Sequence, residues 1–79
     1  MTLTDRVAAL FEKSFGIDAS DFSPDVVPED VLRWDSLGHM TLVMELEDAF
    51  DIHFEVDEIT EMSSGRKILE ILRSKGVKD

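Results

Sequence analysis

The chain has 79 residues, 43% hydrophobic and 33% charged, and 18 acids against 8 Lys and Arg set a formal net charge of -10. This is the make-up of one small globular domain, residues 1–79; the acidic balance excludes a binder of nucleic-acid phosphates, and the lack of cysteine excludes disulfides and thiolate metal sites. The N-terminal MTLTDRVAALFEKSF lacks a basic-then-apolar signal build, and no apolar run nears the roughly 18 residues of a membrane span, so the default expectation is a cytoplasmic, soluble monomer.

In chain order, the first helix is marked by Leu3, Val7, Leu10, Phe11 and Phe15, which recur at helical spacing. Thr2 or Thr4 can cap its start and Gly16 can end it. From Ile17 to Asp35 no period is sustained, and Pro24, Pro28 and several cap-type residues make the segment a loop with at most a short turn. A loop of roughly 20 residues is unusual in so small a domain and tends to be functional or internally packed. Phe22, Val26, Val27, Val31 and Leu32 give it apolar material for packing.

A second helix is expected from about Ser36 to Asp51, followed by a short Ile52-His53-Phe54 link. Asp57 to Met62 can form a short third helix. Ser63 or Ser64 then caps a fourth, which carries Ile68, Leu69, Ile71 and Leu72, with Arg73 and Lys75 near the negative end of its dipole and Gly76 just beyond. The fold class that follows is all-α: a small four-helix bundle with a long loop between helices 1 and 2 and a helix 3 reduced to a stub.

The second helix carries two apolar stripes. Leu42, Val43, Leu46, Ala49 and Phe50 have the spacing of a core face. Leu37, Met40 and Met44 form another stripe on a different side, which either packs under the long loop or docks partners. Methionines adapt to several partners, which suits docking. Acids surround the stripe: between Arg33 and Arg66 there is no Lys or Arg, while Asp35, Glu45, Glu47, Asp48 and five further acids fall there. Such a run is either a solubilising surface or one that steers basic partners.

Ser36 stands at the start of that helix, within RWDSLGHM. A serine there is most simply an N-cap. Asp35 already supplies a cap, however, which leaves Ser36 as the first helical residue beside unpaired backbone N–H groups, a favourable place for a phosphate. A hydrolase reading would pair Ser36 with His39 three residues on, but the G-x-S-x-G elbow is absent and no acid is placed to orient the histidine. A calcium loop starting at Asp51 fails as well, because Val56 and Met62 stand where glycine and a bidentate glutamate are required. No metal site is expected.

With these elements placed, the chain resembles the acyl carrier protein family in its free-standing form. The likeness covers nearly the whole chain and is most specific over DSLGHMTLVMELEDAFDIHFEVDEITEM, from Asp35 to Met62. The D-S-L triplet, the Leu42-Val43-Met44 run, Leu46-Glu47 and Phe50-Asp51 fall at the family's spacing. The resemblance implies a non-catalytic carrier whose Ser36 is modified with 4′-phosphopantetheine from coenzyme A by a phosphopantetheinyl transferase. The arm's thiol then holds acyl groups as thioesters, which fits a chain that has no cysteine of its own.

By position, the resemblance makes Asp35 and Leu37 flanking recognition residues. Leu37, Met40, Met44, Glu47, Asp48 and Phe54 become contacts for acyl-loading and acyl-transfer enzymes with basic docking surfaces. Val43, Leu46, Phe50, Ile59, Met62, Ile68 and Leu72 become an interior able to shelter part of an acyl chain. The departures cluster at the attachment site. Trp34 stands where fatty-acid carriers commonly have a small residue, Gly38-His39-Met40 replaces Asp-Thr-Val or similar, Thr41 replaces a usual glutamate, and Phe54 replaces a smaller aliphatic residue. They suggest a specialised lipid or secondary-metabolite pathway, such as polyketide synthesis, rather than housekeeping fatty-acid synthesis, with Trp34 and the Gly38-His39-Met40 run identifying the carrier to its partners. The alternatives are an aminoacyl carrier of the peptidyl or D-alanyl type and, from another class, an acidic interaction module whose serine is only a cap.

Overall fold

A computed structural model describes residues 1–78. Four α-helices follow one another, α1 (Leu3–Phe15), α2 (Ser36–Phe50), α3 (Val56–Glu61) and α4 (Gly65–Ser74), with two 3₁₀ turns, Ala19–Asp21 and Pro28–Asp30, in the long first loop. Among the described residues there is no strand. Nor, among those residues, is any helix long and apolar enough to cross a membrane.

Local chemistry sets the helix ends. Thr2 caps α1 reciprocally, its hydroxyl accepting the Asp5 N–H while the Asp5 carboxylate accepts the Thr2 N–H. Gly16 closes the same helix in the left-handed conformation, φ 73°, which glycine adopts without cost. Of the two candidate caps for α4, Ser64 serves, accepting the Lys67 N–H at 3.1 Å. The third helix lies one residue earlier than its sequence suggests, because the Glu58 carboxylate reaches back to the Glu55 N–H at 2.8 Å and fixes the entry there.

The core is shared by α1, α2, α4 and the loop. Leu3, Val7, Phe11, Leu42, Val43, Leu46, Ile68 and Leu72 are almost wholly buried, and Phe22, Val26, Val31 and Trp34 bring the loop into the same cluster. The loop is thus an internal layer of the bundle. It also satisfies the start of α4: the Gly65 N–H donates to the Val26 carbonyl at 2.9 Å and the Arg66 N–H to the Pro24 carbonyl at 2.7 Å. A side chain at Gly65 would strike the Ser23 carbonyl oxygen, so this close approach requires glycine.

Three expectations about packing are corrected. Leu32, counted as loop packing material, is 97% exposed, because Val31 beside it turns inward instead. Ala49 is exposed; α2 buries Leu42, Val43 and Leu46, and Phe50 only partly. Trp34, expected to meet partner proteins, is only 3% exposed and cannot touch them. It sits edge-on to Phe11, with ring centroids 5.0 Å apart, and stacked near Phe15 at 6.1 Å.

Candidate functional site

The start of α2 is built so that Ser36 faces outward. Asp35 is the N-cap: its Oδ1 accepts the Gly38 N–H at 2.9 Å, and its backbone carbonyl accepts the His39 N–H at 2.7 Å. Ser36 is therefore the first helical residue and is exposed. Its own N–H and that of Leu37 have no acceptor among the described residues. Gly38 is dictated by packing, because the Arg33 carbonyl oxygen occupies the place of a Cβ and the Phe15 ring lies 3.0 Å from it. The loop backbone thereby lies flush against the first turn of α2.

Trp34 and His39 complete the arrangement below the serine. The Trp34 indole Nε1 lies 2.8 Å from His39 Nδ1, and His39 Nε2 lies 2.9 Å from the Ile59 carbonyl oxygen in α3. An indole nitrogen only donates, so Nδ1 accepts, and Nε2 carries the hydrogen given to Ile59. The two rings are near parallel, at 17°, with centroids 6.2 Å apart. A buried tryptophan needs a partner for its N–H. Here the partner is a histidine whose other nitrogen reaches a second helix.

Beside Ser36 lies an open cleft of about 570 Å³. Its walls include Pro28, Trp34, His39, Met40, Ile59 and Met62, with Asp35, Thr60 and Ser63 as polar members. Of the residues expected to shelter an acyl chain, Ile59 and Met62 line this cleft. Val43, Leu46, Ile68 and Leu72 lie deeper, in the packed core, each no more than 2% exposed. Phe50 is half-buried at the far end of α2, under the Arg6 guanidinium at 4.5 Å.

The surface around the serine is apolar and acid-rimmed. Leu37 is 83% exposed, Met44 65% and Met40 47%, so the second stripe of α2 faces solvent and does not pack under the loop. Leu32 and Val56 (77% exposed) are further bare apolar side chains that the periodicity did not mark. Asp48 is exposed. Glu45 and Glu47 are partly engaged within the chain: Glu45 pairs with Lys13 at 2.8 Å, and Glu47 Oε2 accepts the Phe54 N–H at 2.9 Å, with His53 Nδ1 at 3.4 Å. The Glu47 bond draws the link after α2 inward. Phe54, expected to be a partner contact, is in consequence 2% exposed, and the Lys75 ammonium stands 5.7 Å from its ring centroid.

An outward hydroxyl on a helix start, an open cleft at its side and an acid-rimmed apolar strip together define a small helical carrier. Such a domain presents an attached group to other proteins instead of enclosing a substrate. Comparison with known proteins agrees with this class. The phosphopantetheine attachment site family matches residues 5–72. An acyl carrier protein from Desulforapulum autotrophicum is 36% identical over 64 residues, 81% of this chain and 83% of the relative. In fold, the chain is similar to a solved structure from Mycobacterium tuberculosis assigned as an acyl carrier protein, with a TM-score of 0.81 at 22% identity, covering 91% of this chain and 96% of the other. The chain belongs to the acyl carrier protein family. It is accordingly a carrier and not an enzyme, and its prosthetic group is a covalent phosphopantetheine. The residues present fit that group, since the only serine in the D-S-L triplet is exposed at a helix start whose first two N–H groups are free among the described residues.

Proposed function

We propose that Ser36 is the attachment point and that this carrier serves a specialised biosynthetic pathway. The observation that carries the assignment is the position of the hydroxyl. It is exposed at the first residue of α2, with Asp35 doing the capping. A phosphodiester there meets the positive end of the helix dipole, worth about 0.3–1 kcal/mol at an exposed site. When bound, the group supplies a terminal thiol that holds acyl cargo as a thioester.

The chain's own residues divide the remaining work. Asp35 fixes the helix start, and Gly38 lets the loop lie close enough to hold Ser36 outward. Leu37, Met40 and Met44 offer apolar contacts to a partner enzyme, and Asp48 offers an exposed carboxylate on the same helix. The partners are a phosphopantetheinyl transferase and acyl-handling enzymes, and basic rims on their docking faces complement this surface.

A specialised role is supported by what surrounds the serine. Trp34, Gly38 and His39, which depart from the common fatty-acid carrier pattern, form one connected packing solution at the attachment site. Protein purified from its native host tests the reading. Peptide mapping should place the prosthetic group on Ser36, and hydroxylamine should release the cargo. An acid other than the common straight-chain fatty acids supports a specialised carrier, an amino acid moves the protein to the aminoacyl class, and ordinary fatty acids alone contradict the specialised role.

A further inference from the structure

His39 is one helical turn from Ser36, yet its ring is spoken for on both sides. Nδ1 takes the Trp34 indole hydrogen at 2.8 Å and Nε2 gives its own to the Ile59 carbonyl at 2.9 Å. Trp34 is anchored in turn against Phe11 and Phe15 of α1. A continuous chain of contacts therefore runs from the α1 core through the loop and α2 to the backbone of α3. It crosses the seam between α2 and α3 at the cleft beside Ser36, whose lining includes His39, Ile59 and Met62, the last of these also part of the buried core.

The far end of this chain is the least anchored helix. The six residues of α3 are too few to be stable alone. Besides Ile59, which packs against the core, and Met62 just past its end, its polar ties to the rest of the bundle among the described residues include the His39–Ile59 bond and the Glu58–Lys75 ion pair at 2.9 Å. Moving α3 away from α2 would open the way from the cleft to Leu46, Ile68 and Leu72, and that movement requires the His39–Ile59 bond to break.

We propose that His39 is a latch that sets which cargo the carrier shelters: while its ring bridges Trp34 and Ile59, the seam between α2 and α3 is shut and the cargo lies in the outer cleft. The proposal rests on attachment at Ser36. The cleft is open to solvent and carries Asp35, Thr60 and Ser63 beside Trp34, Met40, Ile59 and Met62, so it covers a short acyl group better than a long saturated chain. His39 touches neither the reacting atoms nor the arm's linkage; it is a positioning and specificity residue.

The test compares the wild-type carrier with His39→Ala and with His39→Gln, whose amide can both accept from Trp34 and donate to Ile59. In protein without the arm, exchange of the Trp34 indole hydrogen should speed up by roughly tenfold or more in His39→Ala and stay slow in His39→Gln. This reading does not depend on Ser36, so it separates failure of the latch from failure of the attachment assignment. Each protein is then loaded with an octanoyl arm, and the methyl resonances of Leu46, Ile68 and Leu72 are compared with the unacylated arm-bearing form. They should stay in place in wild type and His39→Gln and shift in His39→Ala. His39→Leu, which fills the place of the ring but can neither accept from Trp34 nor donate to Ile59, serves as the open variant if His39→Ala does not fold. Interior shifts in wild type with the indole hydrogen still protected would overturn the proposal. So would an open variant indistinguishable from wild type, or a glutamine variant that behaves like alanine.

Discussion

Trp34 and His39 are joined by a hydrogen bond of 2.8 Å, and it settles two residues at once. The buried indole's hydrogen finds its acceptor in the half-buried His39 ring, and the imidazole is fixed as the tautomer that donates to Ile59 in α3. Both residues belong to the RWDSLGHM segment that surrounds the candidate attachment serine.

Trp34 is structural, so its loss is expected to be expensive. Trp34→Ala removes a ring that is 3% exposed and packed against two phenylalanines, and should cost about 3–5 kcal/mol. Total stabilities run from about 5 to 15 kcal/mol, so this is a large share for so small a domain. Urea unfolding followed by circular dichroism measures it. A loss under about 1 kcal/mol would mean that Trp34 is not the core residue described here.

Gly38 is expected to tolerate no side chain. In Gly38→Ala the new methyl meets the Arg33 carbonyl, a backbone atom that cannot rotate away. The loop must shift off α2, at a cost of about 1–3 kcal/mol. Because Ser36 lies in the same turn, modification by a transferase should slow as well. Unchanged stability together with an unchanged modification rate would contradict the close approach.

Partner contacts should divide between exposed and engaged residues of α2. Met44→Arg alters a side chain that faces solvent, so it should slow partner reactions by roughly tenfold while leaving the melting temperature unmoved. Glu47→Lys should differ, lowering stability too, because it removes the acceptor for the Phe54 N–H. Steady-state rates with a transferase, set beside thermal melts, distinguish the groups.

Acid should loosen α3. The Glu58 carboxyl is held below its ordinary range, first by the Glu55 N–H and next by the Lys75 ammonium. A folded-state pKa lower than the unfolded one means stability that is present above the unfolded value and lost as pH falls through the folded value. The difference in melting temperature between wild type and Glu58→Gln should therefore be greatest near neutrality and vanish on acidification. A difference that stays constant across that range would show that Glu58 ionisation contributes nothing.

Much of this was legible in the sequence because its signals are local. The period of Leu3, Val7, Phe11 and Phe15, the cap at Asp35, the pairs Thr2 or Thr4 and Ser63 or Ser64 from which the structure takes Thr2 and Ser64, and Gly16 at a helix end each depend on a few neighbouring residues. The Leu37, Met40 and Met44 stripe was readable as a second apolar face for the same reason, but whether the long loop covers it was not, and the structure leaves it exposed. What was hidden depends on contacts between distant segments. Periodicity cannot tell which of Val31 and Leu32 turns inward in an irregular loop, and the structure buries the first and bares the second. Phe54 looked like a surface contact because the bond that draws it in comes from Glu47, in another element. The Trp34–His39 pair, five residues apart, left a usable trace: a tryptophan near a histidine at a helix start suggests a donor seeking an acceptor. The third member, the Ile59 carbonyl, belongs to backbone and leaves no mark in the sequence.

The most direct measurement is the intact mass of the protein after incubation with a phosphopantetheinyl transferase and coenzyme A. Wild type should gain a single phosphopantetheine and Ser36→Ala none, with both proteins equally helical. Wild type left unmodified by several transferases, or Ser36→Ala modified like wild type, would contradict Ser36 as the attachment point.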